Sequence, residues 1–214
     1  MTLAGVSHQL WSRQSHPISE LGSVVQESTH VWLAISDQAL QDWALRLQNS
    51  KALLLHSSGA LEISGAHSVH PLMTFTHDLY PDDFYRQFAF VTTSTLGREI
   101  LIPGLANPFF QIKPEHKTFY HALCVLAGNG SVLLWQKFFF EMKKLGLPQA
   151  VSGLYAQRIF QNLLDNPALA LTGPFVRDDQ ITLQKDLESL SKDPFQNVFL
   201  SMMQAYSLEG KKLV

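Results

Sequence analysis

VWLAISDQALQDWALRLQNSKALLLHSSG, residues 31–59, decides the fold. Its ends are β-rich: Val31 to Ile35 stops at Ser36-Asp37, and Ala52 to Leu55 stops at His56-Ser57-Ser58-Gly59. Between them, Gln38 to Gln48 has the length and spacing of a short helix, with Asp37 placed to cap it. Two strands that end in small polar residues, joined by a helix-length spacer, read as a parallel pair with its functional edge at the strand C-termini.

Working outward, His8 to Trp11 reads as a brief strand ending at Ser12-Arg13, and Ser19 to Glu27 as a helix. Ala66 to His70 before Pro71, and Phe88 to Thr92, read as further strands. From Thr95 the strand runs disappear and apolar residues recur at three- and four-residue spacing. Helices are predicted over Thr95 to Leu101, Glu115 to Leu145 with its stop at Gly146, Leu147 to Asn166, Thr182 to Ser191 and Pro194 to Leu208. Asp178 or Asp179 is placed to cap the fourth of these. The fold class is therefore α/β followed by all-α, with domains at 1–94 and 95–214.

Composition narrows the function. The chain has 214 residues, 46% apolar and 16% charged, and sixteen basic against eighteen acidic side chains leave a net charge of -2. Such a balance does not collect phosphate backbones or anionic lipid, so nucleic acid and membrane surfaces are not expected partners. The most apolar stretch, His121 to Trp135, falls short of the ~20 residues of a membrane span and is interrupted by Gly128-Asn129-Gly130-Ser131. Met1 to Trp11 lacks the pattern of a secretory signal, and the single Cys124 suits a reducing compartment, so a cytoplasmic location is expected.

Several strings together resemble one family: Leu55-His56-Ser57-Ser58-Gly59-Ala60-Leu61, His70-Pro71-Leu72 with Phe75, Lys117 through Tyr120-His121 to Asn129, and Leu171-Thr172-Gly173-Pro174 with Arg177, Asp179 and Thr182. The chain resembles bacterial two-domain proteins that join a Rossmann-like domain to a helical C-terminal domain of unknown function. These are distant relatives of ketopantoate reductase, pyrroline-carboxylate reductase and the 6-phosphogluconate dehydrogenase group. The resemblance implies a nicotinamide-cofactor fold and an oxidoreductase whose substrate is not established for the family. Members normally open with a strand running into a Gly-x-Gly-x-x-Gly turn, whose glycines let the backbone approach the pyrophosphate. Here Leu3-Ala4-Gly5 leads straight into the segment that would be the second strand. A truncated Rossmann-like sheet is therefore expected. In the order 3-2-1-4-5-6 this leaves a central gap, so the expectation is that Met1 is an internal start of a longer protein, the alternatives being that His8–Trp11 pairs with Ala52–Leu55 or that the sheet is split, and in each case cofactor binding would be impaired.

Candidate site residues lie at the ends of the predicted strands and on one helix. Arg13, with Ser12, could accept a 2′-phosphate and so favour NADP, or be a solvated turn residue. Ser36 and Asp37 would pass the cofactor's ribose and nicotinamide side, although helix capping explains Asp37 equally without a ligand. His56, Ser57 and Ser58, with Gly59, form a hydroxyl-rich turn suited to substrate or a cofactor amide. A Ser-His hydrolase pair is the sharper alternative there, but no Gly-x-Ser-x-Gly elbow accompanies it. His70, before Pro71, reads as a strand-end residue facing a substrate cleft. No metal site is expected, because His67 and His70 are three apart, which on a strand sends them to opposite faces.

Lys117 and His121 are four apart on one helix face, and Asn129 lies about 80° around the axis from His121. The resemblance implies a catalytic set here, with Lys117 as acid/base toward a substrate oxygen, Asn129 orienting it and His121 beside them. The plainer reading has Lys117 solvated and Asn129 a buried, satisfied amide. Arg177 could hold a substrate carboxylate or one of the protein's own. Trp135 with Phe138-Phe139-Phe140 reads as core or as a subunit interface, which would make a homodimer through the helical domain. The expected function is an NADP-dependent oxidoreductase acting on a small oxo or imino substrate; the alternative is a noncatalytic binding or interaction protein on the same scaffold.

Overall fold

A computed structural model gives the fold and describes residues 5–210. The elements in chain order are α1 (Leu21–Gln26), β1 (His30–Leu33), α2 (Asp37–Leu47), β2 (Leu53–His56), β3 (His67–Ser68), β4 (His70–Pro71), β5 (Phe90–Thr92), α3 (Arg98–Leu101), β6 (Phe109–Gln111), α4 (Lys117–Val125), α5 (Ser131–Lys144), α6 (Gln149–Asp165), α7 (Gln180–Ser189) and α8 (Gln196–Ala205). The chain divides into two compact units, Met1–Val132 and Leu133–Val214.

In the first unit β1, β2 and β3 form a parallel sheet in sequential order. The register sets Trp32 opposite Leu55 and Leu33 opposite His56. Side-chain alternation divides the apolar residues between the two faces. Leu33 and Leu54 meet Leu40 and Ala44 of α2, with Trp43 and Leu47 packed beside them. Leu55 turns to the other face and packs with Val69, Phe90, Leu101 and Ile102, flanked by Trp32 and Leu53. Full burial of each large apolar side chain contributes roughly 1.5–3 kcal/mol. Leu40 and Ala44, four apart on α2, are therefore the anchor of the strand–helix–strand unit.

A second three-stranded sheet has β4 antiparallel to β5 and β5 parallel to β6. The chain passes from one sheet to the other at Val69, which is fully buried and donates its N–H to the His56 carbonyl at 2.8 Å. Thr92 Oγ1 donates to the Ser68 carbonyl at 2.6 Å and ties the two sheets where they meet.

Four sequence expectations change here. Residues 8–11 form no strand: Trp11 instead stacks on Trp43, with ring centroids 6.2 Å apart, and Ser12–Ser15 make a turn. No central gap arises, because β1 pairs directly with β2 in parallel. The three strands lie side by side in sequence order, and the parallel β1–β2 connection is the crossover helix α2. The run Ala66–His70 is broken at Val69 into strands of different sheets. The half after Thr95 also contains a strand, β6, which Phe90–Thr92 recruits by parallel pairing across a helix-containing connection.

The predicted helix over Glu115–Leu145 is one continuous helical segment from Pro114 to Lys144, 31 residues that include an 18-residue window of mean hydropathy 1.3. Gly128-Asn129-Gly130 does not interrupt it but is absorbed in a π turn, Leu126–Gly130. By length and composition this helix is therefore long and apolar enough to cross a membrane, contrary to the sequence expectation. It ends at Gly146 with φ +82°, where the Gly146 N–H bonds the Lys143 carbonyl and the Leu147 N–H bonds Met142, a Schellman stop that leaves Pro148 to start α6. In the second unit Asp179 caps α7, accepting from the Thr182 N–H at 3.1 Å.

Candidate functional site

The C-terminal end of β2 runs into Ser57-Ser58-Gly59, and the start of α4 lies against this turn. On α4, Lys117, Tyr120, His121 and Cys124 follow the i, i+3, i+4, i+7 spacing of one helix face. Gly59 measures the closeness of approach: a Cβ there would collide with Cδ2 of His121 and lie 2.9 Å from Nε2 of His70. Only a residue without a side chain fits between the turn and these two imidazoles.

Lys117 is buried, with its side chain 3% exposed. Its Nζ donates to the Leu61 carbonyl and lies 3.1 Å from Oε1 of Glu62. Thr93 Oγ1 donates to the same carboxylate oxygen at 2.7 Å. Burial lowers the Lys117 pKa and the Glu62 carboxylate opposes that shift. The solvated lysine of the plainer sequence reading is therefore corrected: packing of α4 on the β2 turn removes it from water, and Glu62 and Leu61 replace the lost solvation.

His56 is fully buried. Its Nδ1 accepts from the Ser58 N–H at 3.2 Å, which fixes the neutral tautomer with the proton on Nε2. That Nε2 is buried with no hydrogen-bond partner among the described residues. Burial, then the Lys117 charge, lowers the His56 pKa to about 4. His70 pairs Nδ1 with the Tyr120 hydroxyl at 2.9 Å and meets the Tyr120 and His121 rings edge-on. Its pKa is also lowered to about 4, by burial first and His121 second. Burial raises the Tyr120 hydroxyl, with Cys124 adding to the shift.

The hydroxyls of the turn have protein partners. Ser57 Oγ accepts from the Trp32 indole N–H at 2.7 Å, and Ser58 Oγ donates to Oδ2 of Asp37 at 2.8 Å while accepting from the Leu61 N–H at 3.1 Å. Asp37 is thus not a cap. It is the first residue of α2, Ser36 occupies the N-cap position without a side-chain bond, and the carboxylate is drawn to the β2 turn.

The structure brings together His56, Ser57, Ser58, His70, Lys117, His121 and Asp37. It does not bring in Asn129, which is exposed in the π turn and about 18 Å along the helix from Lys117 at ~1.5 Å per residue. The reading of Asn129 as a buried, satisfied amide is corrected by that exposure. Ser12 and Arg13 are exposed in a turn with no strand before it, so the strand-end geometry for selecting a 2′-phosphate is not present. Arg177 lies in the second unit, exposed in the turn before α7, where its charge helps to lower the Asp179 pKa after the Thr182 hydrogen bonds. His67 bonds Ser94 through Nδ1 at 2.9 Å, and no group of three or more metal-ligating side chains is assembled among the described residues. Glu62, Thr93 and Tyr120 were missed in the sequence. Tyr120 was legible from its place on the Lys117–Cys124 face, whereas Glu62 and Thr93 meet Lys117 only through the tertiary fold.

A parallel α/β region followed by a helical part, with a polar cluster at a strand C-terminal edge, defines a Rossmann-like two-part architecture. The family model described as a domain of unknown function, DUF2520, matches residues 95–207, and the chain belongs to that family. Two solved structures share the fold. One is "putative NADP oxidoreductase BF3122" from Bacteroides fragilis, 18% identical with a TM-score of 0.67, covering 85% of this chain and 77% of that one. The other is protein TM1727 from Thermotoga maritima, 20% identical with a TM-score of 0.59, covering 84% of this chain and 78% of that one. No curated protein matches.

Proposed function

We propose that the chain is an NADP oxidoreductase-like protein of the cytoplasm that takes a small oxo or imino compound at the turn after β2. The observation that carries this reading is the buried His56 Nε2–H, without a partner, beside a buried lysine at a strand C-terminal edge. A carbonyl, imine or nicotinamide amide is the acceptor such a donor calls for. The B. fragilis neighbour's description as an NADP oxidoreductase supports the same class.

The residues fit the dinucleotide at its nicotinamide end alone. Ser57, Ser58 and the His56 donor suit an amide, but the sequence contains no Gly-x-Gly-x-x-Gly turn for the diphosphate, so binding is expected to be weak. NADPH, when bound, supplies a hydride. The chain's part is proton transfer and orientation: Lys117, its pKa lowered by burial, protonates the substrate oxygen or nitrogen, which replaces the Leu61 carbonyl on Nζ. Glu62 keeps the ammonium in place, and His121 and His70 wall the pocket beside Gly59.

A noncatalytic binding role on the same scaffold is the second reading, and one observation favours it: Lys117 is already satisfied by Leu61 and Glu62. Oxidation of NADPH with a panel of small oxo and imino acids separates the two. Turnover that falls at least a hundredfold in Lys117→Met supports the enzyme. Binding of a panel member without turnover, equal in wild type and variant, supports the second reading.

A further inference from the structure

Two aspartates precede α7, and Asp179 takes the capping role by accepting from Thr182. Asp178 is left over. Among the described residues it is the only one other than glycine in the left-handed region, at φ +53°. A glycine would hold that conformation without strain, so an aspartate there sets a carboxylate in place against the preference of its own backbone. Gln180 Nε2 donates to Oδ1 of Asp178 at 2.7 Å, and Oδ2 has no hydrogen-bond partner among the described residues.

That side chain lines a cavity of about 340 Å³ within the second unit, between the turn, α7 and α8. The apolar lining comes from Phe175, buried Leu183, Met203 and Tyr206, the last carried by the helical turn Tyr206–Gly210 that follows α8. Phe175 and Tyr206 meet edge-on with ring centroids 5.4 Å apart. No lysine or arginine is among the described residues of the lining, and Asp178 is its one charged group. The positive end of α7 is already answered by Asp179, so the Asp178 charge faces the cavity without a cation to balance it.

We propose that this cavity binds a small organic cation, a primary ammonium on a compact apolar or aromatic body. Asp178 Oδ2 accepts the ammonium hydrogen, while the Phe175 and Tyr206 rings pack on the body and favour its positive charge. A volume at the lower end of the roughly 300–1,000 Å³ of small-molecule sites limits the ligand to a compact amine. An anion would meet the carboxylate at close range and is excluded. The site lies in the other unit from the turn after β2 and does not depend on the chemistry proposed there.

Titration of the full chain, labelled with ¹³C at its methionine methyls, tests this with 2-phenylethylammonium as the probe and 2-phenylethanol as its neutral analogue. The amine is expected to shift the Met203 methyl saturably at millimolar concentration or below, and the alcohol to bind roughly tenfold more weakly. Asp178→Asn keeps a residue that tolerates the left-handed region and should weaken the amine roughly tenfold while leaving the alcohol unchanged. The comparison of amine with alcohol on the wild type decides the matter even where the variant does not fold. A Met203 methyl unmoved at millimolar amine, equal affinity for amine and alcohol, or a folded Asp178→Asn that binds the amine as the wild type does would each overturn the proposal.

Discussion

Gly59 is the residue on which the site's geometry turns. Because its missing Cβ is what admits the His121 and His70 rings, Gly59→Ala is expected to destabilise the fold by about 1–3 kcal/mol through overpacking. Chemical denaturation measures this, and His121→Ala in the same chain should recover part of the loss, since the collision is with a side chain. The two buried imidazoles give the site a pH signature. His56 and His70 fold with pKa values of about 4 against 6.5 when unperturbed. Between those values the unfolded chain binds protons that the folded chain does not, so stability is full above pH 6.5 and is lost as the pH falls toward 4. His70→Phe keeps an edge-on ring against Tyr120 and removes one titration. The fall in denaturation midpoint between pH 7 and 4.5 should therefore be smaller in the variant, and an equal fall would place the acid sensitivity elsewhere.

At the scale of elements, the long helix through α4 and α5 passes a five-residue π turn at Gly128-Asn129-Gly130. Gly128 is exposed with nothing within 4 Å of where its Cβ would lie, so Gly128→Ala should raise stability by about 0.5–1 kcal/mol by restricting the unfolded chain. A thermal melt that moves down instead would mean the turn needs a glycine's backbone freedom. The strand–helix–strand core was legible because Leu40 and Ala44 repeat at helical spacing between two apolar runs that alternate between faces. The strand expected at His8–Trp11 failed because four residues with one large aromatic can dock a side chain on Trp43 more readily than pair in a ladder. β6 was invisible for the opposite reason: Phe109–Gln111 is three residues long and becomes a strand only because β5 offers an edge. In the candidate site, the Lys117–His121 pair and the His56–Gly59 turn were readable as local spacing. The Glu62 partner, the Asp37–Ser58 bond and the distance to Asn129 depend on how the strand ends meet α4.

For the whole molecule, the family and the fold agree with a Rossmann-like two-part chain, while the chemistry rests on one polar cluster in the first unit. The cluster has two features of a ligand site, a buried donor without an acceptor and a lysine held at reduced basicity. It also has one feature of a structural lock, the Lys117–Leu61–Glu62 contact. Glu62→Gln bears on both: without the carboxylate that opposes it, burial lowers the Lys117 pKa further, and any turnover optimum should move to lower pH. An optimum that stays in place would remove Lys117 from the proton transfer.

The measurement that bears most directly on the account is titration of the full ¹⁵N-labelled chain with NADPH, followed at backbone amides. The account predicts weak saturable binding that moves Ser57, Ser58 and Gly59 together with Lys117, and leaves the π turn at Asn129 unmoved. Perturbations confined to residues away from the β2 turn, or none at millimolar NADPH, would contradict it.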